Sequence, residues 1–516
     1  MTNGTAYGYD ITVLSVDFAT RLPQWQKVRD AIDGEERVKE RSTLYLPKPR
    51  GQNPRDYANY LTRAAFYSVA DLTLRGLTGM VFRVEPTIEL PAKLDRLNVT
   101  LTPEGYSPQQ AVREAMKDVL GIGRYGLLVD MAARRRVSNL PYIATYRAEE
   151  IINWEEEIVD GVRKLVRVVL LEEPSTRADV TTRILRELLI TEVGTYEMRV
   201  WRETTDERAQ TARRTFPTPD YFYVAHGSFE YQETIVPVAF GKPLMEIPFY
   251  FVNPLDHRPR TDKPPILDLV NTNFAHYRNS ADYEQALWLT SQPTPYIFGV
   301  TSENVPKSIG SATIWHAPDP NVKAGMLEFT GAGIQAQEKA LAAKEERMAI
   351  QGARIIRDFQ QPNVTAETTR LQAQSETSIL IGAVQSVEEA FEKALRFAAR
   401  WADASEEEVV IHLNRDFIET RLSPEEITSL VAAWQAGAYS RQTLHEQLQR
   451  GEIIPPERTL ADELALIEDD DGGALGGSNE LDQRITSGVE AALAAREAAA
   501  ASGTSEAEDE EEEEAE

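Results

Sequence analysis

Not one cysteine occurs in the 516 residues, which excludes disulfides and thiolate chemistry and suits folding in a reducing cytoplasm. Histidine is scarce. His226, His257, His276, His316, His412 and His445 are scattered singly, so no metal cluster is legible and no metal or other cofactor is expected. Positive charge is also short, with 55 Lys and Arg against 82 Asp and Glu and a formal net charge of -27. A protein that grips nucleic acid usually shows a basic footprint, because affinity comes from neutralising phosphates and releasing their counterions. That footprint is missing overall. No eighteen apolar residues run uninterrupted, and MTNGTAYGYD has neither a basic nor an apolar leader segment, so the expectation is a soluble chain without an export signal and without a membrane partner.

What is present is ordinary globular composition, 42% hydrophobic and 8% aromatic, enough for two to four packed units. The last twelve residues, SEAEDEEEEEAE, hold nine acids and no base, yet most of the negative charge lies upstream of them. Residues 21–45 open with a helix around Trp25. Residues 54–75 place Tyr57, Tyr60, Leu61, Ala64, Ala65, Val69 and Leu72 three and four apart, a helical core face, and GLTGMVFRVEPTIEL then reads as extended, glycine-punctuated chain. Ser107-Pro108 starts a helix that runs to about Gly121. From about 140 to 252, PYIATY, LVRVVLLEE, TYEMRVWRE, YFYVAHG and IPFYFVN read as strands.

After the proline-rich PLDHRPRTDKPP, a stripe of Leu267, Val270, Phe274, Tyr277, Ala281 and Trp288 predicts a helix of roughly 35 Å. PTPYIFGV begins a return to strands up to about 330. A second long helix starts near Ile334, with Leu341, Met348 and Ile355 seven apart, breaks at Phe359–Asn363, and resumes near Thr365 with Leu380, Val384, Val387, Phe391, Leu395, Ala398 and Trp401. VVIHLN reads as a strand, and two helices follow in SPEEITSLVAAWQAG and SRQTLHEQLQRG, the first opened by a capping box at Ser423 and Glu426. Beyond Asp469 the acidic, Gly- and Ala-rich tail, with a possible helix around Val489–Ala501, is expected to be mobile. The fold class is α+β.

Catalytic motifs find little support. GIGRYG matches the dinucleotide pattern letter for letter, but a helix enters it and a strand leaves, the reverse of the order that aims a helix N-terminus at pyrophosphate. Its glycines read as a helix C-cap and a tight turn. Glu468-Asp469-Asp470-Asp471 lacks the alternation of a calcium loop, no phosphate-binding lysine loop or serine elbow occurs, and the acids of NWEEEIVDG read as exposed turn residues. Arg134, Arg135 and Arg136 are left between DNA, a neighbour's acids and, by default, solvent.

One set of segments resembles a family of tailed-phage portal proteins, the DUF4055 type. The matching pieces are Trp25 with Gly34-Glu35-Glu36, YLP at 45–47, RAAF at 63–66, GLTGMVFR at 76–83, and GIGRYGLLVDM with PYIATYRAEEIINW ending at Trp154. PPILDLVNTNFAHYRNSADYEQALWLTSQPTPYI (264–297), MAIQGARII (348–356) and TAETTRLQAQSETSIL complete the set, in order, over residues 20–455. The resemblance implies a ring, typically of twelve copies, at one capsid vertex, not itself an ATPase, through which double-stranded DNA is driven in and later leaves. Implied partners are further copies of the chain, the large terminase subunit, a head–tail adaptor, and the major capsid or scaffold protein. The implied location is the virion, after assembly in the host cytoplasm.

Mapped onto this chain, the resemblance implies an N-terminal wing at 1–164, a β-rich region with the clip at 165–262, a stem helix at 263–291, wing strands at 292–330, and long helices at 331–401. Those last helices would flank a tunnel loop at 359–365. A crown-like helical region at 402–466 and an acidic tail at 467–516 follow. Gln360, Gln361, Pro362, Asn363, Val364 and Thr365 become candidate DNA-tunnel residues: amides and hydroxyls touch phosphate weakly, whereas a collar of cations would hold it. Leu267, Val270, Phe274, Tyr277, Trp288, Leu380, Val384, Val387 and Phe391 become candidates for packing between subunits, although ordinary core helices carry such faces too. Two alternatives stay open, a structural head or tail adaptor that conducts nothing and a nucleotide-binding enzyme resting on GIGRYG.

Overall fold

The computed structural model describes residues 9–131, 140–172, 183–204, 228–291, 294–301, 305, 308, 316, 320–327, 332–356, 366–415, 417, 424–450, 453–454 and 458–470. The expected strand at 221–227, Arg134–Arg136, the tunnel-loop residues Gln360–Thr365, the Ser423 cap and the tail beyond Asp470 lie outside them. Helices and antiparallel sheets mix along the chain, which divides into two compact units, 1–415 and 416–516.

The first unit opens with α1 (Val16–Asp33), which buries Phe18, Trp25, Val28 and Ala31. Gly34, at φ +92°, turns the chain sharply into α2 (Glu35–Glu40). α3 (Pro54–Arg63) starts on an Asn53 cap that accepts from the Asp56 N–H at 2.9 Å. The single helix expected over 54–75 is in fact two. The chain is extended at Ala64, and α4 (Val69–Val81) follows. GLTGMVFR is therefore largely helical rather than extended, because Leu74, Leu77, Thr78 and Val81 present one buried face that outweighs the cost of Gly76 and Gly79.

β1 (Thr87–Glu89) precedes α5 (Pro108–Gly121), which has the reciprocal Ser107–Gln110 capping box with proline at its first position. β2 (Tyr125–Met131) and β3 (Pro141–Arg147) form a hairpin. The next strands, β4 (Ile151–Val159), β5 (Val162–Glu172), β6 (Ile184–Ile190), β7 (Tyr196–Glu203) and β8 (Phe229–Ile235), make one antiparallel sheet in sequence order. Asp160 and Gly161, both at positive φ, close the β4–β5 turn. The two-residue strands β9 (Val238–Ala239) and β10 (Lys242–Pro243) pair with each other, and β11 (Phe249–Val252) adds to the other edge of β2. Leu128, Tyr146, Ile151, Val168, Leu170, Leu188, Met198, Phe249 and Phe251 share one core, which fuses the three-stranded and five-stranded sheets.

α6 (Leu267–Thr290) is followed by the hairpin β12 (Thr294–Phe298) and β13 (Lys323–Leu327), then by α7 (Ala332–Ile356) and α8 (Ala366–Trp401). α8, about 54 Å long at 1.5 Å per residue, packs against α5, β2 and β11. β14 (Val410–His412) pairs with β1, and the Leu413 N–H donates to Glu388 of α8 at 3.0 Å. Residues 402–415 thus belong with the first unit rather than with the helices beyond. The second unit holds α9 (Pro424–Gln435), α10 (Arg441–Arg450) and α11 (Leu460–Asp470). Gly437, at φ +77°, ends the first of these as a left-handed cap, and Arg441 lies 6.0 Å over the Trp434 ring.

Candidate functional site

The glycine motif sits where a helix runs into a sheet. α5 ends at Gly121, the N–H groups of Ile122 and Gly123 both donate to the Asp118 carbonyl, and β2 begins at Tyr125. The structure thus has the helix-in, strand-out order that denies a pyrophosphate the helix N-terminus. Each glycine has a packing reason. Gly123 is at φ +86° with Pro265 against it, and a Cβ on Gly126 would lie 2.5 Å from the Phe249 ring.

Arg124, between them, is fully buried. Its Nη1 donates to the Pro259 carbonyl at 2.6 Å, and its guanidinium lies 4.3 Å from the Trp154 ring and 4.5 Å from that of Phe251. Nε and Nη2 have no hydrogen-bond partner among the described residues. Burial pulls its pKa below the usual guanidinium range, with Asp17 opposing. Arg124 therefore ties the proline-rich connection, and with it the start of α6, to the sheet.

α6 and α7 pack side by side, joined at His276 Nε2, 3.1 Å from Glu345 Oε1, and by Leu341 and Met348. On the opposite side, Tyr45 stacks on Phe274 with centroids 4.1 Å apart, and Phe66 meets Tyr277 edge-on at 5.7 Å. Eight of the nine side chains expected to pack between subunits are accordingly covered at home. Leu267, Val270, Phe274, Tyr277, Leu380, Val384, Val387 and Phe391 are all buried in the first unit. For these eight the cover comes from their own chain, and burial there accounts for the stripes.

Trp288 is the exception, 58% exposed, with the Arg63 guanidinium 4.2 Å over its ring. It stands at the end of α6 that leads into the β12–β13 hairpin. There Leu289, Tyr296, Phe298, Met326 and Leu327 are also exposed. Tyr296 leans over Gly325 across the hairpin and lies 5.3 Å from Phe298. A two-stranded ribbon with so much bare apolar surface is marginal by itself in water. The α6 stripe pointed to Trp288. The hairpin's exposed face had no signal beyond the aromatics of PTPYIF.

A cleft of about 750 Å³ opens between α1, α2 and the strands around β3. Its charges are largely spent on one another. Arg29 binds Asp118 at 2.7 Å and Glu149 at 2.9 Å, Asp30 takes Arg37, Arg41 and the Tyr45 hydroxyl, and Arg186 joins Asp130 to Glu172. Burial opposes the charge on Arg29, and its two carboxylates more than offset that, raising its pKa. Glu150 stands apart. Burial pushes its carboxyl up to about 7, with the Arg147 N–H at 2.6 Å as a partial offset. No grouping of three or more potential metal ligands occurs among the described residues, and no helix among them is long and apolar enough to cross a membrane.

Residues 265–402 match the family described as Domain of unknown function (DUF4055). The matched segment spans α6, the β12–β13 hairpin, α7 and α8, and covers the long-helix segments on which the sequence resembles that family. No curated protein matches the chain. Among solved structures, a chain of the neck of a native GTA particle, computed with C12 symmetry, is similar at 14% identity and a TM-score of 0.39, covering 80% of this chain and 97% of its own. A chain of the neck of an empty GTA particle, computed with C6 symmetry, is similar at 12% identity and a TM-score of 0.39, covering 80% of this chain and 96% of its own.

Proposed function

We propose that this chain is a phage portal protein, one subunit of a ring of about twelve copies, seated at a capsid vertex as a conduit for double-stranded DNA. The observation that carries the reading is the DUF4055 match over residues 265–402, a segment in which two packed helices, α6 and α7, carry an exposed apolar hairpin and the chain continues into the long helix α8. On this reading the hairpin and Trp288 lie between copies, which supplies the cover that a bare ribbon lacks. Gln360–Thr365, between α7 and α8, line the bore. Their amides and hydroxyls contact phosphate and release it, and the chain's general acidity repels a polymer with about one charge per 1.7 Å, so the duplex slides. The ring docks the large terminase subunit and later the head–tail adaptor, contacts the major capsid or scaffold protein, and hydrolyses nothing itself.

Native mass measurement and negative-stain imaging of the purified protein test the assembly, with closed rings around a central hole expected. Deleting Gln360–Val364 should leave rings intact and abolish packaging. A chain that stays monomeric at high concentration, or a deletion that packages normally, would overturn the proposal.

A further inference from the structure

The β4–β5 hairpin runs past the body of its sheet. β5 pairs with β6 only over Arg167–Glu172, and every residue from Glu155 to Lys164 is exposed, so the distal part is a two-stranded ribbon with solvent on both faces. Among the described residues no strand pairs with either of its edges. At its base the β4 edge is closed off, because the Ser15 N–H donates to the Ile152 carbonyl at 3.0 Å and Asn153 Nδ2 donates to the Val13 carbonyl at 2.9 Å. Beyond that strap nothing covers it among the described residues.

The two open edges carry opposite charge. β4 contributes Glu156 and Glu157, and β5 contributes Arg163 and Lys164, with Glu157 directly across from Lys164. Lys164 reaches only Asp160, at 4.0 Å, and no ion pair among the described residues engages Glu156, Glu157 or Arg163. The tip is apolar, with Ile158 68% and Val162 59% exposed. Charges that merely blunt an edge against aggregation need neither opposite signs on the two strands nor a bare apolar tip.

We infer that this ribbon is a contact between copies of the chain, in which the acidic β4 edge of one copy lies against the basic β5 edge of the next. The inference rests on the self-assembly reading above but uses a different surface. Ribbons set side by side in one orientation continue the antiparallel alternation, because β4 of one copy then neighbours β5 of the following copy. Such a contact is heterologous and repeats around a ring. Cross-strand carboxylate–cation pairs and the apolar tip supply the recognition, and its strength falls with salt.

Because the chain has no cysteine, a pair of single substitutions tests the contact cleanly. Glu157→Cys and Lys164→Cys proteins, mixed and oxidised with diamide, should form a disulfide between copies, because these positions share one register and one face, while neither alone should, since like positions lie about two strand spacings, roughly 10 Å, apart and beyond disulfide reach. Glu157→Lys or Lys164→Glu alone should weaken self-association about tenfold at low salt, and an equimolar mixture of the two should restore it. Thermal melts matching the unsubstituted protein confirm that these exposed changes leave the fold intact. If the unsubstituted protein is monomeric, the assembly reading and this contact both fall. If it assembles while the mixture gives no disulfide, or while each cysteine variant cross-links to itself, the ribbon contact alone is overturned.

Discussion

Ser280 on α6 closes two hydrogen bonds with a single residue of the α3–α4 break: its Oγ donates to the Ala65 carbonyl at 2.7 Å and accepts from the Ala65 N–H at 3.1 Å. The break is thus held open by a side chain 215 residues away, which satisfies both backbone groups that neither helix can reach. Ser280→Ala should cost about 1–3 kcal/mol of unfolding free energy, the penalty for leaving a partly buried donor and acceptor unpaired. Denaturant unfolding monitored by circular dichroism checks this, and a loss well below that range would show that water replaces the hydroxyl.

The glycines of GIGRYG are packing residues, and their substitution should behave accordingly. A Cβ at Gly126 meets the Phe249 ring at 2.5 Å and Ile151 Cδ1 at 2.8 Å, and Gly123 holds a φ of +86°. Gly126→Ala and Gly123→Ala should each destabilise by about 1–3 kcal/mol through overpacking and backbone strain respectively. Nucleotides such as NAD or ATP should leave the melting temperature of all three proteins unchanged. A nucleotide that stabilises the unsubstituted protein and neither variant would restore the motif to a binding role.

Local patterns were readable where the signal is itself local. Ser107 and Pro108 announce the start of α5, and the reversed order around Gly121–Gly126 separates this turn from a phosphate loop on sequence grounds alone. Two failures have a common physical cause. Gly76 and Gly79 look like punctuation, yet α4 runs through both because Leu74, Leu77 and Val81 bury against the core, a tertiary gain larger than a local propensity cost. The stripes on α6 and α8 report that apolar faces exist, but periodicity cannot say whether the cover comes from the same chain or another. Phe274 is covered by Tyr45 and Phe66, and Trp288, on the same helix, stays exposed. Arg124 shows the same limit, since no local pattern announces a guanidinium lodged between Trp154 and Phe251.

That lodged guanidinium makes a contrast between two substitutions informative. Arg124 is buried with two nitrogens unpartnered and no carboxylate in contact among the described residues, so its charge is a burden, whereas its bulk fills the space between two aromatic rings. Arg124→Met keeps the bulk and removes the charge, and should leave stability within about 1–2 kcal/mol of the unsubstituted protein. Arg124→Ala removes both the bulk and the Pro259 anchor, and should cost about 3–5 kcal/mol. Guanidinium chloride unfolding of the two variants checks the ordering, and equal losses would mean that the Pro259 hydrogen bond, not packing, is what counts.

Glu150 should leave a signature in the pH dependence of stability. Its carboxyl ordinarily titrates near 4.5, and burial in the folded protein raises it to about 7, with Glu149 and Asp118 adding to the rise. Between those two values the folded protein holds a proton that the unfolded chain has released. Unfolding therefore releases a proton, and stability falls as the pH rises from about 4.5 to about 7. Glu150→Gln keeps an acceptor for the Arg147 N–H and has nothing to titrate. The variant should match the unsubstituted protein at low pH and exceed it at pH 8 by on the order of 1 kcal/mol, after discounting for the carboxyl's partial exposure. Paired thermal melts across the range isolate this one group, because every other titration is common to both proteins. Parallel curves would mean that Glu150 is solvated and ionised in the folded protein, and the cleft would then hold no carboxyl in need of a counter-charge.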